Sequence, residues 1–172
     1  MAASENKLKR ITVPRRILLL LYDHQKFVDN YETPEVVTQS GIANELSLRQ
    51  NHVSRALREL ISGGFIFTRS AHITGLARRR FVYFLTENGF DDVQDYISES
   101  MQKTILVHIT KDKLKEYTLT KVTEILKDRL GYTPSIHQIL TRYYDGTKID
   151  INLIRLWVFR ASIVLVIFLA IL

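Results

Sequence analysis

Five side chains between positions 50 and 58 form an unusual donor set: Gln50, Asn51, Ser54, Arg55 and Arg58. A carboxamide donates and accepts at once, which matches one edge of adenine. A guanidinium is a planar fork that matches guanine or a phosphate. Arg49, Arg69, Arg78, Arg79 and Arg80 extend the guanidinium chemistry on either side, and His72 can add charge at low pH. From Arg49 to Arg80 there are seven Arg, no Lys and one acid, Glu59, a net +6. The whole chain also carries +6, so everything outside this stretch is neutral on balance. A local excess made only of Arg points to a surface for phosphates and base edges.

These side chains need a helix that faces them outward. Val53, Leu57, Leu60 and Ile61 follow the spacing of one buried helical face, which predicts a helix from about Arg49 to Ser62. The donor set then falls largely on the opposite face. A shorter helix precedes it: Thr38 is a good N-cap, Ile42 and Leu46 face inward, and Ser47-Leu48 make the turn. Ser47 is also an alternative cap for the second helix, which would start it a residue or two early. Gly63-Gly64 ends that helix. Phe65 to Arg69 and Arg79 to Leu85 read as two strands by their aromatic and β-branched content, with Gly75 at the bend between them. Thr86 then caps a helix from about Glu87 to Met101, with Phe90, Val93, Ile97 and Met101 on one face. Asp91, Asp92, Asp95 and Glu99 cover its other face. Its apolar side is expected to pack on the first helix or across a dimer axis.

Upstream, Pro14 suits the first turn of a helix from about Pro14 to Gln25, whose Ile17, Leu18, Leu20 and Leu21 should be core. Glu35-Val36-Val37 is a candidate strand pairing with the later hairpin. Residues 1–10 read as a flexible terminus or a basic arm.

The order helix, helix, hairpin, helix is that of a winged helix-turn-helix. Thr38-Gln39, Gly41-Ile42-Ala43, Val53-Ser54-Arg55-Ala56-Leu57 and Leu60 resemble the helix-turn-helix core of winged-helix transcription regulators, particularly MarR-like and archaeal members. Ala71-His72-Ile73-Thr74-Gly75, Arg78-Arg79-Arg80, Val82-Tyr83 and Leu85-Thr86-x-x-Gly89 look like their wing and exit helix. The resemblance covers about Ile11 to Met101. It implies that Gln50, Asn51, Ser54 and Arg55 read bases or nearby phosphates of double-stranded DNA. Those regulators often carry Ser or Thr where Arg49 stands, and their usual tail is not matched after Met101.

The expected class is therefore mainly α with a small antiparallel β wing (α+β). The expected organisation is a flexible stretch 1–10, a winged-helix domain 11–101, a small α/β unit 102–154 and an apolar tail 155–172. The α/β unit is open to dimerisation, effector sensing or partner docking. In it, Thr104 to Ile109 is a β-type run, Lys111 to Lys115 a linker or helix start, and Thr118 to Leu130 an amphipathic helix stopped by Gly131. A further helix is expected to begin at Thr133-Pro134. Ile149 to Ile154 reads as strand or helix.

In the tail, Ala161 to Leu172 holds no charge and spans roughly 18 Å as a helix, against a hydrocarbon core of roughly 30 Å. Starting at Leu156 lengthens it to on the order of 26 Å but includes Arg160. Three readings stay open for 156–172: a membrane anchor holding the chain at the cytoplasmic face, a buried or oligomerising helix, and a truncated or altered reading frame.

The chain has no Cys, which excludes disulfides and thiolate chemistry, and five scattered His offer neither a metal set nor a catalytic constellation. No phosphate-cradling Gly-x-x-x-x-Gly-Lys-Ser/Thr occurs. The expectation is no enzyme, no cofactor and no metal. What is expected is a cytoplasmic regulator that binds double-stranded DNA, as a homodimer, with an effector the residues do not name. The alternative from another class is a winged-helix module whose Arg face meets an acidic protein.

Overall fold

In a computed structural model, the residues described are 8, 10–110, 113–144 and 148–150. They fall into two units. One is Ile11–Ser98; the other combines the stretch before Ile11 with the chain from Glu99 onward. The expected α+β class holds.

The first unit begins with α1, Val13–Asp23, capped by the Thr12 hydroxyl and carrying Pro14 in its first turn. Ile17 to Leu21 are all buried, each side chain worth about 1.5–3 kcal/mol of transfer free energy. Strand β1 is only Glu32–Thr33 and pairs in parallel with the following hairpin, Glu32 opposite His72 and Thr33 opposite Ile73. The pairing thus comes earlier than expected. Glu35–Val37 is a 3-10 turn, because Pro34 has no N–H for a ladder and Thr38 closes the turn through its own N–H to the Glu35 carbonyl.

Helix α2, Gln39–Glu45, is capped as expected: the Thr38 hydroxyl accepts from the Gly41 N–H at 3.0 Å. Gly41 is obligatory for spacing, since a Cβ there would overlap the Glu35 carbonyl. The guanidinium of Arg16 donates to the Leu46 carbonyl at 2.8 Å, tying α1 to the end of α2. Burial lowers the Arg16 pKa from its ordinary value.

Helix α3 is Gln50–Ser62. Ser47 does not cap it. Ser47 adopts a left-handed backbone (φ 52°) and makes the turn, and Arg49 takes the cap position with no side-chain bond. Val53, Leu57 and Leu60 are buried as the spacing predicts, Ala56 is buried beside them, and Ile61 is exposed at the rim.

Strands β2, Ile66–Ile73, and β3, Arg79–Leu85, form an antiparallel hairpin with Ile66 opposite Leu85 and His72 opposite Arg79. Helix α4, Glu87–Met101, has the expected bounds. It packs on α1: Arg15 pairs with Asp92 and lies over the Tyr96 ring, and the rings of Tyr22 and Phe90 stand 5.0 Å apart.

The second unit is built on the sheet order β5-β4-β6, with β4 Thr104–Thr110, β5 Lys113–Thr118 and β6 Lys148–Asp150. The segment expected to be a linker or helix start is thus partly the strand β5, held in an antiparallel ladder with β4. Helix α5, Leu119–Leu130, is capped by Thr118 and ends at Gly131 with φ 75°, as the residue types require. Helix α6, Ile136–Gln138, opens with a capping box from Ser135 and Gln138, then runs into a π turn, Ile139–Tyr143.

Leu8 corrects the expectation of a wholly free terminus. It is buried, its N–H donates to the Thr104 carbonyl, and its own carbonyl accepts from the Tyr144 hydroxyl at 2.8 Å. No described helix is long and apolar enough to cross a membrane. The apolar tail 155–172 and the continuation of the Ile149 run past residue 150 lie outside the described residues.

Candidate nucleic-acid interface

The site is assembled on α3 and the hairpin, and both are fastened at their bases. Gln25 clamps the end of β3: its amide donates to the Leu85 carbonyl at 3.2 Å, and its oxygen accepts from the Leu85 N–H at 3.1 Å. One carboxamide thereby imitates a neighbouring strand. Thr86 makes the joint to α4. Its hydroxyl donates to the Gly64 carbonyl at 2.6 Å and accepts from the Gly89 N–H at 3.1 Å, while its N–H bonds the Phe65 carbonyl. A Cβ at Gly89 would overlap that same Phe65 oxygen. The Leu-Thr-x-x-Gly sequence is therefore a mechanical requirement, joining the end of α3, the start of β2 and the start of α4.

On this frame the α3 donor set comes out together. Gln50, Asn51, Arg55 and Arg58 are exposed along one face, with Ser54 half-buried beside them and Arg49 exposed at the cap. Arg58 bonds only the Ser54 carbonyl of its own helix, at 3.4 Å. Among the described residues, the side chains of Arg49, Gln50, Asn51, Arg55, Arg78 and Arg80 make no hydrogen bond or ion pair. Exposed cations without an acid partner retain their full charge for an incoming anion.

The hairpin divides its cationic residues into two kinds. Arg78 and Arg80 project freely, and Arg79 is exposed but donates to the Ser70 carbonyl at 3.0 Å. Arg69 differs from the expectation. Its guanidinium donates to the Phe27 and Asn30 carbonyls, at 3.3 and 2.7 Å, and lies over the Phe84 ring. The reason is register: Arg69 shares its face of β2 with the buried Ala71 and Ile73, two and four positions on, so it points toward the body of the unit. His72 is also half-buried, stacked on Tyr31 with ring centres 4.8 Å apart.

Five residues lie outside the expected contacts. Thr38, Gln39, Ser40, Phe81 and Tyr83 join Gln50 and Arg80 around a cleft of 380 Å³ between α2, the start of α3 and β3. Phe81 is 68% exposed, and burial raises the Tyr83 phenol pKa from its ordinary value. The signal was available, because β3 carries apolar residues on both faces and a two-stranded wing cannot bury both. No cluster of metal-ligating side chains occurs among the described residues.

No family model matches the chain, and no curated protein does. Among solved structures it is similar to MepR of Staphylococcus aureus, described as a transcription regulator of the multidrug efflux pump MepA. The identity is 29% over 51% of this chain and 55% of MepR, with a TM-score of 0.40. Similarity to ZitR of Lactococcus lactis is 21% in identity, over 58% of each chain, with a TM-score of 0.40. A MepR–DNA complex matches at 22% identity over 70% of this chain and 75% of that one, with a TM-score of 0.42. The chain spans little more than half the length of the first two structures. By its own order of elements, α1, β1, α2, α3, β2, β3 and α4, the Ile11–Ser98 unit is a winged helix-turn-helix.

Proposed function

We propose that this chain is a sequence-specific regulator that binds double-stranded DNA, with α3 in the major groove and the wing on the backbone or minor groove. One observation carries this reading: the exposed set Arg49, Gln50, Asn51, Arg55, Arg78 and Arg80, unpartnered among the described residues, lies on one helix with its cap and one hairpin, with Glu59 as the single acid in the stretch. Gln50, Asn51 and Arg55 sit in the first half of α3, the end that enters the groove in helix-turn-helix docking. Their groups match adenine and guanine edges, while Arg78 and Arg80 supply phosphate attraction that is independent of sequence. A homodimer would set two α3 helices about one DNA turn apart and read a two-fold site.

The test is fluorescence anisotropy with duplexes selected from a random pool, repeated across a range of salt. The expected result is a selected site bound at least about a thousandfold tighter than random sequence, with affinity falling steeply as salt rises. Equal binding to all duplexes, or none, would reject it.

A further inference from the structure

The cleft between α2 and β3 has features that groove docking does not require. It opens beside Gln50, at the start of the helix assigned above to the groove. One wall is aromatic, from Phe81 and Tyr83, and Phe81 is among the most exposed large apolar side chains described. The exposed Phe81 ring offers the cleft an open aromatic face on which a planar group can stack. Arg80, beside Phe81 in the strand, has a free guanidinium. Thr38, Gln39, Ser40 and Gln50 complete the lining; the Thr38 and Ser40 hydroxyls bond each other at 3.1 Å, and neither carboxamide has a partner among the described residues. The volume lies within the roughly 300–1,000 Å³ of small-ligand sites.

A ring for stacking, a cation for phosphate and carboxamides for donor–acceptor edges are what an unstacked nucleobase needs. The surrounding charge is positive, which selects a nucleotide over a neutral aromatic compound. We propose that this cleft takes one unpaired nucleobase of a bound DNA strand, with Phe81 as its stacking face. The proposal rests on the DNA-binding reading and deepens it: the protein would prefer a site with one base free to leave the helix over a fully paired one.

The experiment compares a selected duplex with the same duplex carrying one unpaired base beside the α3 site, for the full chain and for Phe81→Ala and Phe81→Trp. The expected result is that the chain binds the bulged duplex roughly tenfold tighter than the paired one. Phe81→Ala should bring that ratio to about one, and Phe81→Trp should keep it. 2-Aminopurine at the unpaired position should be quenched on binding, and Phe81→Ala should abolish the quenching. A ratio of one for the unaltered chain, or a ratio that Phe81→Ala leaves intact, would overturn the proposal. Binding to neither duplex would defeat the DNA-binding reading instead. A single strand containing 2-aminopurine then decides the cleft separately: Phe81-dependent quenching supports it, and no quenching overturns it.

Discussion

The Arg69 guanidinium donates to the Asn30 carbonyl at 2.7 Å, so one cation of the basic stretch holds the loop after α1 to the hairpin. The same group reaches the Phe27 carbonyl and lies over the Phe84 ring. Arg69→Ala should therefore cost stability, by roughly 1–3 kcal/mol for charge-assisted bonds. Urea unfolding measures this. Duplex affinity, measured well below the denaturation midpoint, should change less than it does for Arg80→Ala.

Arg80 provides the contrast, because it is exposed and unpartnered among the described residues. Arg80→Ala should weaken binding to every fully paired duplex alike and reduce the slope of log affinity against log salt by about one. Unfolding should scarcely respond. A salt slope that stays unchanged would remove Arg80 from the phosphate contacts.

Asn51 and Arg55 should behave differently again. Replacing either with Ala is expected to cost roughly 1–3 kcal/mol on the selected site and to relax preference at one base position. Random duplexes should lose far less. Equal losses on selected and random DNA would assign these residues to the backbone.

Gly89→Ala should destabilise the winged-helix unit by roughly 1–3 kcal/mol, because the methyl group collides with the Phe65 carbonyl. Differential scanning calorimetry would register this as a lower Tm. Gly75, at φ 79° in an open turn, has nothing near its missing Cβ, so its replacement by Ala strains the backbone without a collision.

Leu8→Ala should loosen the second unit, at roughly 2–5 kcal/mol for a buried Leu. Hydrogen exchange would report it as faster exchange in β4, where Thr104 receives the Leu8 N–H. Unaltered exchange there would mean that Leu8 contributes little to that unit.

Local periodicity made much of this fold legible. The buried positions of α3 and the bounds of α4 follow from spacing, and the Thr38 and Thr86 caps from residue type. The donor set on α3 was legible for the same reason, as the complement of a buried stripe. What escaped depends on partners distant in sequence. Leu8 finds Thr104 and Tyr144, and Arg69 finds carbonyls some 40 positions away, at Phe27 and Asn30. Strand β5 forms because β4 pairs with it, although Lys113, Lys115 and Glu116 look like a linker. Arg69 could have been found by alternation, since Ala71 and Ile73 mark its face as inward. The cleft at Phe81 needed three elements brought together and had no signature along the chain beyond one ring too many.

Gln25 and Thr86 grip the hairpin at its root, at Leu85 and Gly64, and Thr33 holds it near the tip, where its carbonyl accepts from the Thr74 N–H. The turn at residues 75–78, beyond both attachments, therefore behaves as an exchangeable fitting. A protein engineer could lengthen it, shorten it or graft a different reader sequence there, leaving the hinge pins of the wing in place.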